Sequence, residues 1–148
     1  MMYEEYEKKC SEIRMRNEAY LDEFREDLLN AGLKEKTINR HYRNVNFYIN
    51  IYLLREEPLE MVCGTDYYVI DDFLGNFFIR KCMWSTPSTI RSTATSIKKF
   101  YRGMLQRGNI DESNYWELIE SIKDNMERWL KDCEDYNNPE APNPFAFF

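Results

Sequence analysis

The chain has 148 residues, of which 43% are hydrophobic and 31% charged, and it carries a net charge of −6. This length suits one domain with its own apolar core, which needs no disulfide or metal to fold. No apolar run approaches the roughly 20 residues that cross a bilayer, and the charged N-terminus lacks a secretory leader pattern. The composition therefore predicts a cytoplasmic protein with no membrane partner.

The first predicted helix is long and begins near Tyr3. Its apolar residues recur at spacings of three and four, and Asn30-Ala31-Gly32 provides a C-terminal stop. We assign residues 1–16 to a helical extension and residues 17–137 to a helical domain. The remaining residues, 138–148, are predicted to form a Pro-rich tail or linker.

The second predicted helix runs from about Lys34 to Arg55. Lys36, Arg40 and Arg43 recur at i, i+4 and i+7, so they share a face beside the apolar one. The third predicted helix follows Thr65, which we interpret as its N-cap. This third helix is so rich in apolar residues that we expect it to be the central element of the core.

The fourth predicted helix opens with Ser85-Thr86-Pro87-Ser88, which combines hydroxyl caps with an early proline, and ends at Gly108. One side of it is predicted to be apolar and buried. The residues of the basic and hydroxyl-bearing side are Arg91, Ser92, Thr95, Lys98, Lys99 and Arg102.

The last predicted helix starts near Asp111 and carries apolar residues in a four-three alternation as far as Tyr136. Apolar seams on the first and last helices are suited to packing within a bundle or between chains. We therefore predict an all-α bundle of four to five helices and a possible homo-oligomer formed through the first and last helices. The terminal Phe145–Phe148 segment is apolar enough to dock on the bundle.

Charge is sorted along the chain by segment. Residues 33–55 and 73–110 have net charges of +4 and +7, and the second of these segments contains no acidic residue. Between them, residues 56–72 have a net charge of −6. Two cationic helices on an anionic body favour a surface that binds a polyanion. A solvated helix face is the alternative explanation of either basic stripe.

Two short motifs mark the second and fourth predicted helices. The first is Ala31-Gly32-Leu33 followed by Lys34-Glu35-Lys36-Thr37-Ile38, and the second is Ser85-Thr86-Pro87-Ser88-Thr89-Ile90-Arg91 followed by Ile97-Lys98-Lys99-Phe100-Tyr101. In this order they resemble the N-terminal core-binding domain of tyrosine recombinases and phage integrases. The resemblance covers residues 17–112 and implies a SAM-like helical bundle.

The resemblance also implies that the second and fourth helices approach the major groove of duplex DNA. Lysine and arginine neutralise phosphates, and hydroxyl groups near a helix N-terminus bind phosphate oxygens. We therefore expect a DNA-binding module of a site-specific recombination or integration system. Carried over residue by residue, the expected DNA-binding residues are Lys34, Lys36, Thr37, Arg40, Arg43, Thr86, Ser88, Thr89, Arg91, Ser92, Thr95, Lys98, Lys99 and Arg102.

The chain shows no catalytic signature. By the resemblance, catalysis needs a further domain with a His-x-x-Arg element and a nucleophilic tyrosine, and the one histidine, His41, has no such context. The four cysteines are too widely spaced for a zinc knuckle or a redox dithiol and are expected to be reduced. We predict no enzyme activity, cofactor, metal ion or small-molecule substrate. An alternative is a recombinase-domain relative that pairs with another protein through its outer helices and does not bind DNA.

Overall fold

The computed structural model describes residues 2–146, and all regular secondary structure in this range is helical. The all-α prediction is confirmed, and none of the described helices is long and apolar enough to cross a bilayer. The helices are α1 (Tyr3–Asn30), α2 (Glu35–Asn46), α3 (Tyr67–Asp72), α4 (Pro87–Gln106) and α5 (Glu112–Asn137). A π-helical segment, Phe47–Tyr52, continues α2. A second π-helical segment, Phe73–Phe77, continues α3 and is followed by an α-helical turn, Phe78–Lys81. A short 3₁₀ helix, Met61–Thr65, precedes α3.

Most helix ends follow their local sequence signals. Gly32 and Gly108 have φ of 78° and 77°, the left-handed conformation that glycine adopts readily just beyond a helix. Thr86 and Thr89 form a reciprocal capping box at the start of α4, where Pro87 is the first helical residue. These ends confirm the predicted limits of α1 and α4.

The start of α3 differs from the prediction by one residue. Its N-cap is Asp66, whose carboxylate accepts hydrogen bonds from the backbone N–H groups of Tyr68 and Val69. Thr65 belongs to the preceding 3₁₀ helix, and its hydroxyl donates to the carbonyl of Val62 at 2.8 Å. The Thr65 hydroxyl is therefore already occupied by this hydrogen bond. The Asp66 carboxylate caps the helix instead, and its negative charge interacts favourably with the helix dipole.

The helix predicted over residues 34–55 changes geometry after Asn46. The π-helical segment there brings Tyr48 and Tyr52 to a stacked arrangement with ring centroids 5.7 Å apart. Phe73, which begins the second π-helical segment, lies 4.7 Å from the Tyr48 ring and 4.8 Å from the Tyr52 ring. The two π-helical segments thus meet in one aromatic cluster within the core.

The centre of the bundle is α4, not α3 as the sequence suggested. α4 contacts α1, α2 and α5, whereas α3 packs mainly against α5. Ile90, Ile97 and Phe100 of α4 are fully buried, and the Phe100 ring meets Phe24 of α1 edge-on at 5.4 Å. The buried face of α4 includes the small residues Ala94, Ser96 and Gly103 beside its large apolar ones.

The first half of α1 packs on the end of the α2 segment. Cys10 and Ile13 are buried against Leu54. The Tyr6 hydroxyl and the Cys10 thiol both point at the Leu54 carbonyl, the thiol at 3.9 Å. Residues 3–16 of the predicted extension therefore continue directly into the bundle helix, while Met1 lies outside the described residues.

The C-terminal tail turns back onto the bundle after α5. The Phe145 ring lies 5.8 Å from the Tyr136 ring, and the Arg80 guanidinium lies 5.8 Å from the centre of the Phe145 ring. Phe147 and Phe148 lie outside the described residues, so their predicted docking stays a prediction. The homo-oligomer through α1 and α5 stays a prediction as well.

Gly75, in the π-helical continuation of α3, lies against Trp129 of α5. A Cβ atom at this position would come within 2.5 Å of Cδ1 of the buried Trp129 and 3.0 Å of a carboxylate oxygen of Asp71. The Trp129 indole donates to that same Asp71 oxygen at 2.7 Å, so the ring cannot move away freely. We expect Gly75→Ala to lower the free energy of unfolding by about 1–3 kcal/mol, measured by urea denaturation.

Gly103→Ala is the matched control. A Cβ atom there meets only the Asp27 carboxylate, at 2.6 Å, and moving this surface group costs at most its ion pair with Arg107, about 1 kcal/mol or less. Alanine also has the better helix propensity by about 1 kcal/mol, so we expect little net change. An equal loss of stability in the two variants would contradict the assigned contact between Gly75 and Trp129.

Candidate nucleic-acid interface

A polar contact joins α2 and α4 side by side at Ser96. Ser96 Oγ lies 2.7 Å from Nδ1 of His41 and accepts a hydrogen bond from the Asn44 amide at 3.0 Å. The same hydroxyl donates to the Ser92 carbonyl at 3.1 Å. Because a hydroxyl has one hydrogen and two acceptor positions, all three are used when His41 carries its hydrogen on Nδ1. These buried hydrogen bonds therefore hold α2 and α4 in one relative orientation.

The cations predicted to bind DNA lie at the surface of these two helices and of the turn before α2. Lys98 is half-buried, and the others are exposed. Within residues 2–146, none of them forms an ion pair or a side-chain hydrogen bond. They are Lys34, Lys36, Arg40, Arg43, Arg91, Lys98, Lys99 and Arg102.

Some of the cations elsewhere on the bundle are held by acidic residues, whereas others, such as Lys8 and Lys9 of α1, form no ion pair within residues 2–146. Arg107, at the end of α4, forms an ion pair with Asp27 at 2.8 Å and also approaches Glu23. Arg55 pairs with an α3 carboxylate, and Arg128 pairs with another. Part of the positive charge away from the basic faces is thus neutralised by acidic residues, whereas the cations of the basic faces form no ion pair within residues 2–146.

The basic residues of α4 spread over both sides of its exposed face. At about 100° of rotation per residue, Lys99 lies toward Ser96 and therefore toward α2. Arg91, Lys98 and Arg102 lie on the other side of the exposed face by the same rotation. Lys99 is therefore the α4 cation that lies nearest α2, and the other three face away from α2. The cations of α2, of the turn before it and of α4 together are called the basic band below.

The hydroxyl residues predicted to bind DNA fall into two groups. The hydroxyls of Thr86 and Thr89 serve the capping box, and Thr95 donates to the Arg91 carbonyl at 3.0 Å. Thr37, Ser88 and Ser92 make no side-chain hydrogen bond within the described range; Ser88 is exposed, and the other two are half-buried. Only this second group can offer hydroxyls to a phosphate oxygen without breaking a local hydrogen bond.

Sequence reasoning missed the residues that hold the two basic faces together. The sequence predicted only that His41 is a partly buried or surface histidine outside any catalytic or metal site, and it did not single out Asn44 or Ser96. A signal for them does exist in the sequence: His41 and Ser96 are polar residues at core-facing positions of the two helices that were predicted to be basic. A buried polar residue needs a partner, and the nearest available partner lies on the facing helix.

The pKa of His41 is lowered from its ordinary value, mainly by burial and further by the nearby charges of Arg40 and Lys99. A protonated His41 ring would also be repelled by the positive charges of Arg40 and Lys99. A neutral His41 is therefore part of the folded state.

His41 predicts a pH dependence of stability. The unfolded chain takes up this proton near the ordinary histidine pKa of about 6.5, whereas the folded chain resists it until lower pH. The free energy of unfolding should therefore fall as the pH is lowered from about 7.5 to 5. We expect His41→Asn, which retains an N–H donor near the Nδ1 position, to show a smaller fall in urea denaturation at these pH values. An identical pH dependence in the two proteins would exclude His41 as its source.

Comparison with protein-family models, curated proteins and solved structures finds no match for this chain. The resemblance to the recombinase core-binding domain is therefore a hypothesis based on the two motifs. Any assignment of function depends on the geometry and charge of the basic band.

Proposed function

We propose that this protein is a non-catalytic module that binds duplex DNA through the basic faces of α2 and α4. The observation that carries the proposal is that the cations of two adjacent helices have no acidic partner within residues 2–146, although the chain as a whole is acidic. The motif resemblance adds the context of a recombination or integration system and a SAM-like, core-binding type of bundle.

Counterion release supplies the affinity in this proposal. Each phosphate that a lysine or arginine neutralises releases condensed cations from DNA, and binding weakens as salt rises. Packed helices lie about 8–10 Å apart, and the major groove is about 12 Å wide. One helix can therefore enter the groove while its neighbour contacts the adjoining backbone, as in helix-turn-helix proteins.

The acidic body modulates this binding. A net charge of −6 opposes the approach of DNA at long range, where screening by salt is strongest. Close to the surface the local basic band dominates. The proposal therefore includes modest affinity with a strong dependence on salt.

We expect the protein to bind a fluorescein-labelled 30-base-pair duplex in anisotropy titrations at low salt, and to bind more weakly at near-physiological salt. The triple variant Arg40→Ala, Arg91→Ala, Lys99→Ala should bind more weakly at low salt. Its slope of log affinity against log salt should be shallower by about 1 for each phosphate that the variant no longer neutralises, or about 3 in total.

The control removes the same charge from another surface. Lys8, Lys9 and Arg14 are exposed on α1 and lie outside the basic band, so their triple alanine variant has the same net charge. We expect it to retain the salt slope of the unmodified protein. Equal reductions in affinity in the two variants would mean that overall charge, and not the basic band, governs binding.

The alternative function is a protein-interaction module. It is favoured by large apolar side chains exposed on the outer helices, with Met15 of α1 72% exposed and Trp116 of α5 58% exposed. Absence of DNA binding at low salt, together with dimerisation in analytical ultracentrifugation, would support this alternative over DNA binding.

A further inference from the structure

An aromatic cleft opens beside the basic band at the junction of α2, α3 and α4. Its volume is about 380 Å³, within the range of clefts that hold small ligands. The residues that line it are Arg43, Asn44, Phe47, Phe78, Trp84 and Thr93. Arg43 belongs both to this cleft and to the basic band, so a single ligand can reach both.

The walls of the cleft combine an exposed aromatic ring with unused polar groups. Trp84 is 56% exposed, and the rings of Phe47 and Phe78 hold it by edge contacts at 5.8 and 6.3 Å. Thr93 also lines the cleft, and its hydroxyl makes no hydrogen bond within residues 2–146. The Asn44 amide donates to Ser96, which leaves its carbonyl oxygen free as an acceptor.

These features together specify the chemistry of the occupant. An anionic part must meet Arg43 and the basic band, and a flat aromatic part with polar edges must meet Trp84, Asn44 and Thr93. A nucleic acid carries both parts in one molecule, whereas the bases of an intact duplex are stacked and out of reach of the cleft. We propose that the cleft receives an unpaired base of the DNA whose phosphates lie on the basic band.

This inference rests on the proposed DNA binding and adds a preference for DNA with an unpaired base. Stacking on an aromatic side chain contributes to affinity with little dependence on the identity of the base. The preference should therefore be for structure, as at a bulge or a branch, and not for sequence.

The test compares three labelled DNAs that share one sequence: an intact 30-base-pair duplex, the same duplex with one extra unpaired thymidine, and the same duplex with an abasic residue in place of that thymidine. We expect the thymidine bulge to bind about five- to a hundredfold more tightly than the abasic bulge in anisotropy titrations, the range that base stacking supplies. The abasic bulge is the matched control because it has the same backbone and flexibility without the base.

Trp84→Ala should abolish the difference between the two bulges and leave binding of the intact duplex unchanged. Trp116→Ala, which removes an exposed tryptophan of α5 outside the cleft, should leave the difference intact. In a Trp116→Phe protein that retains Trp84, the thymidine bulge should quench tryptophan emission more than the abasic bulge does. This measurement does not require the Trp84 variant to fold.

The outcomes separate the two proposals. Salt-dependent binding of the intact duplex with equal affinity for the two bulges would overturn the base-binding cleft and leave the proposed function standing. No binding of any of the three DNAs at low salt would overturn both.

Discussion

Repulsion between like charges is the main constraint on the packing of α2 and α4. The cations of these two helices have no acidic partner within residues 2–146, and the helices nevertheless lie side by side. Apolar burial of residues such as Ile38 and Ile97 offsets the repulsion, and the hydrogen bonds at Ser96 fix the arrangement. A neutral His41 at this contact avoids adding a further charge to the two that already surround it. The helix contact and the basic faces therefore depend on the same hydrogen bonds and the same buried residues.

Local signals made much of the fold predictable. Gly32, Gly108 and the Thr86 cap act through their own backbone neighbours, so a single sequence contains the information needed to place them. The positions of the basic residues were predictable for the same reason, because i, i+4 and i+7 spacing defines a face of any α-helix. The two motifs additionally suggested that the second and fourth predicted helices together present a basic surface.

Features that depend on distant parts of the chain were not predictable in this way. The cleft beside Trp84 exists because three helices converge there, and nothing near residue 84 in the sequence indicates this. The π-helical segments escaped prediction because the 3.6-residue period assumed for an α-helix does not describe them, although Tyr48 and Tyr52 were correctly expected on a helix. The central place of α4 likewise depends on which helices surround it, and its buried face includes small residues such as Ser96 that a search for large apolar residues overlooks.

The contact of Tyr6 and Cys10 with the Leu54 carbonyl ties the start of α1 to the rest of the bundle. Leu54 follows the π-helical end of α2, where a carbonyl has no partner within its own helix, and side chains from the start of α1 occupy it instead. Cutting the protein at residue 17, where the motif resemblance begins, would expose Leu54 to water and remove the apolar contacts that Cys10 and Ile13 make with it. The N-terminal segment thus covers the end of the neighbouring helix, and its removal is expected to lower the stability of the bundle.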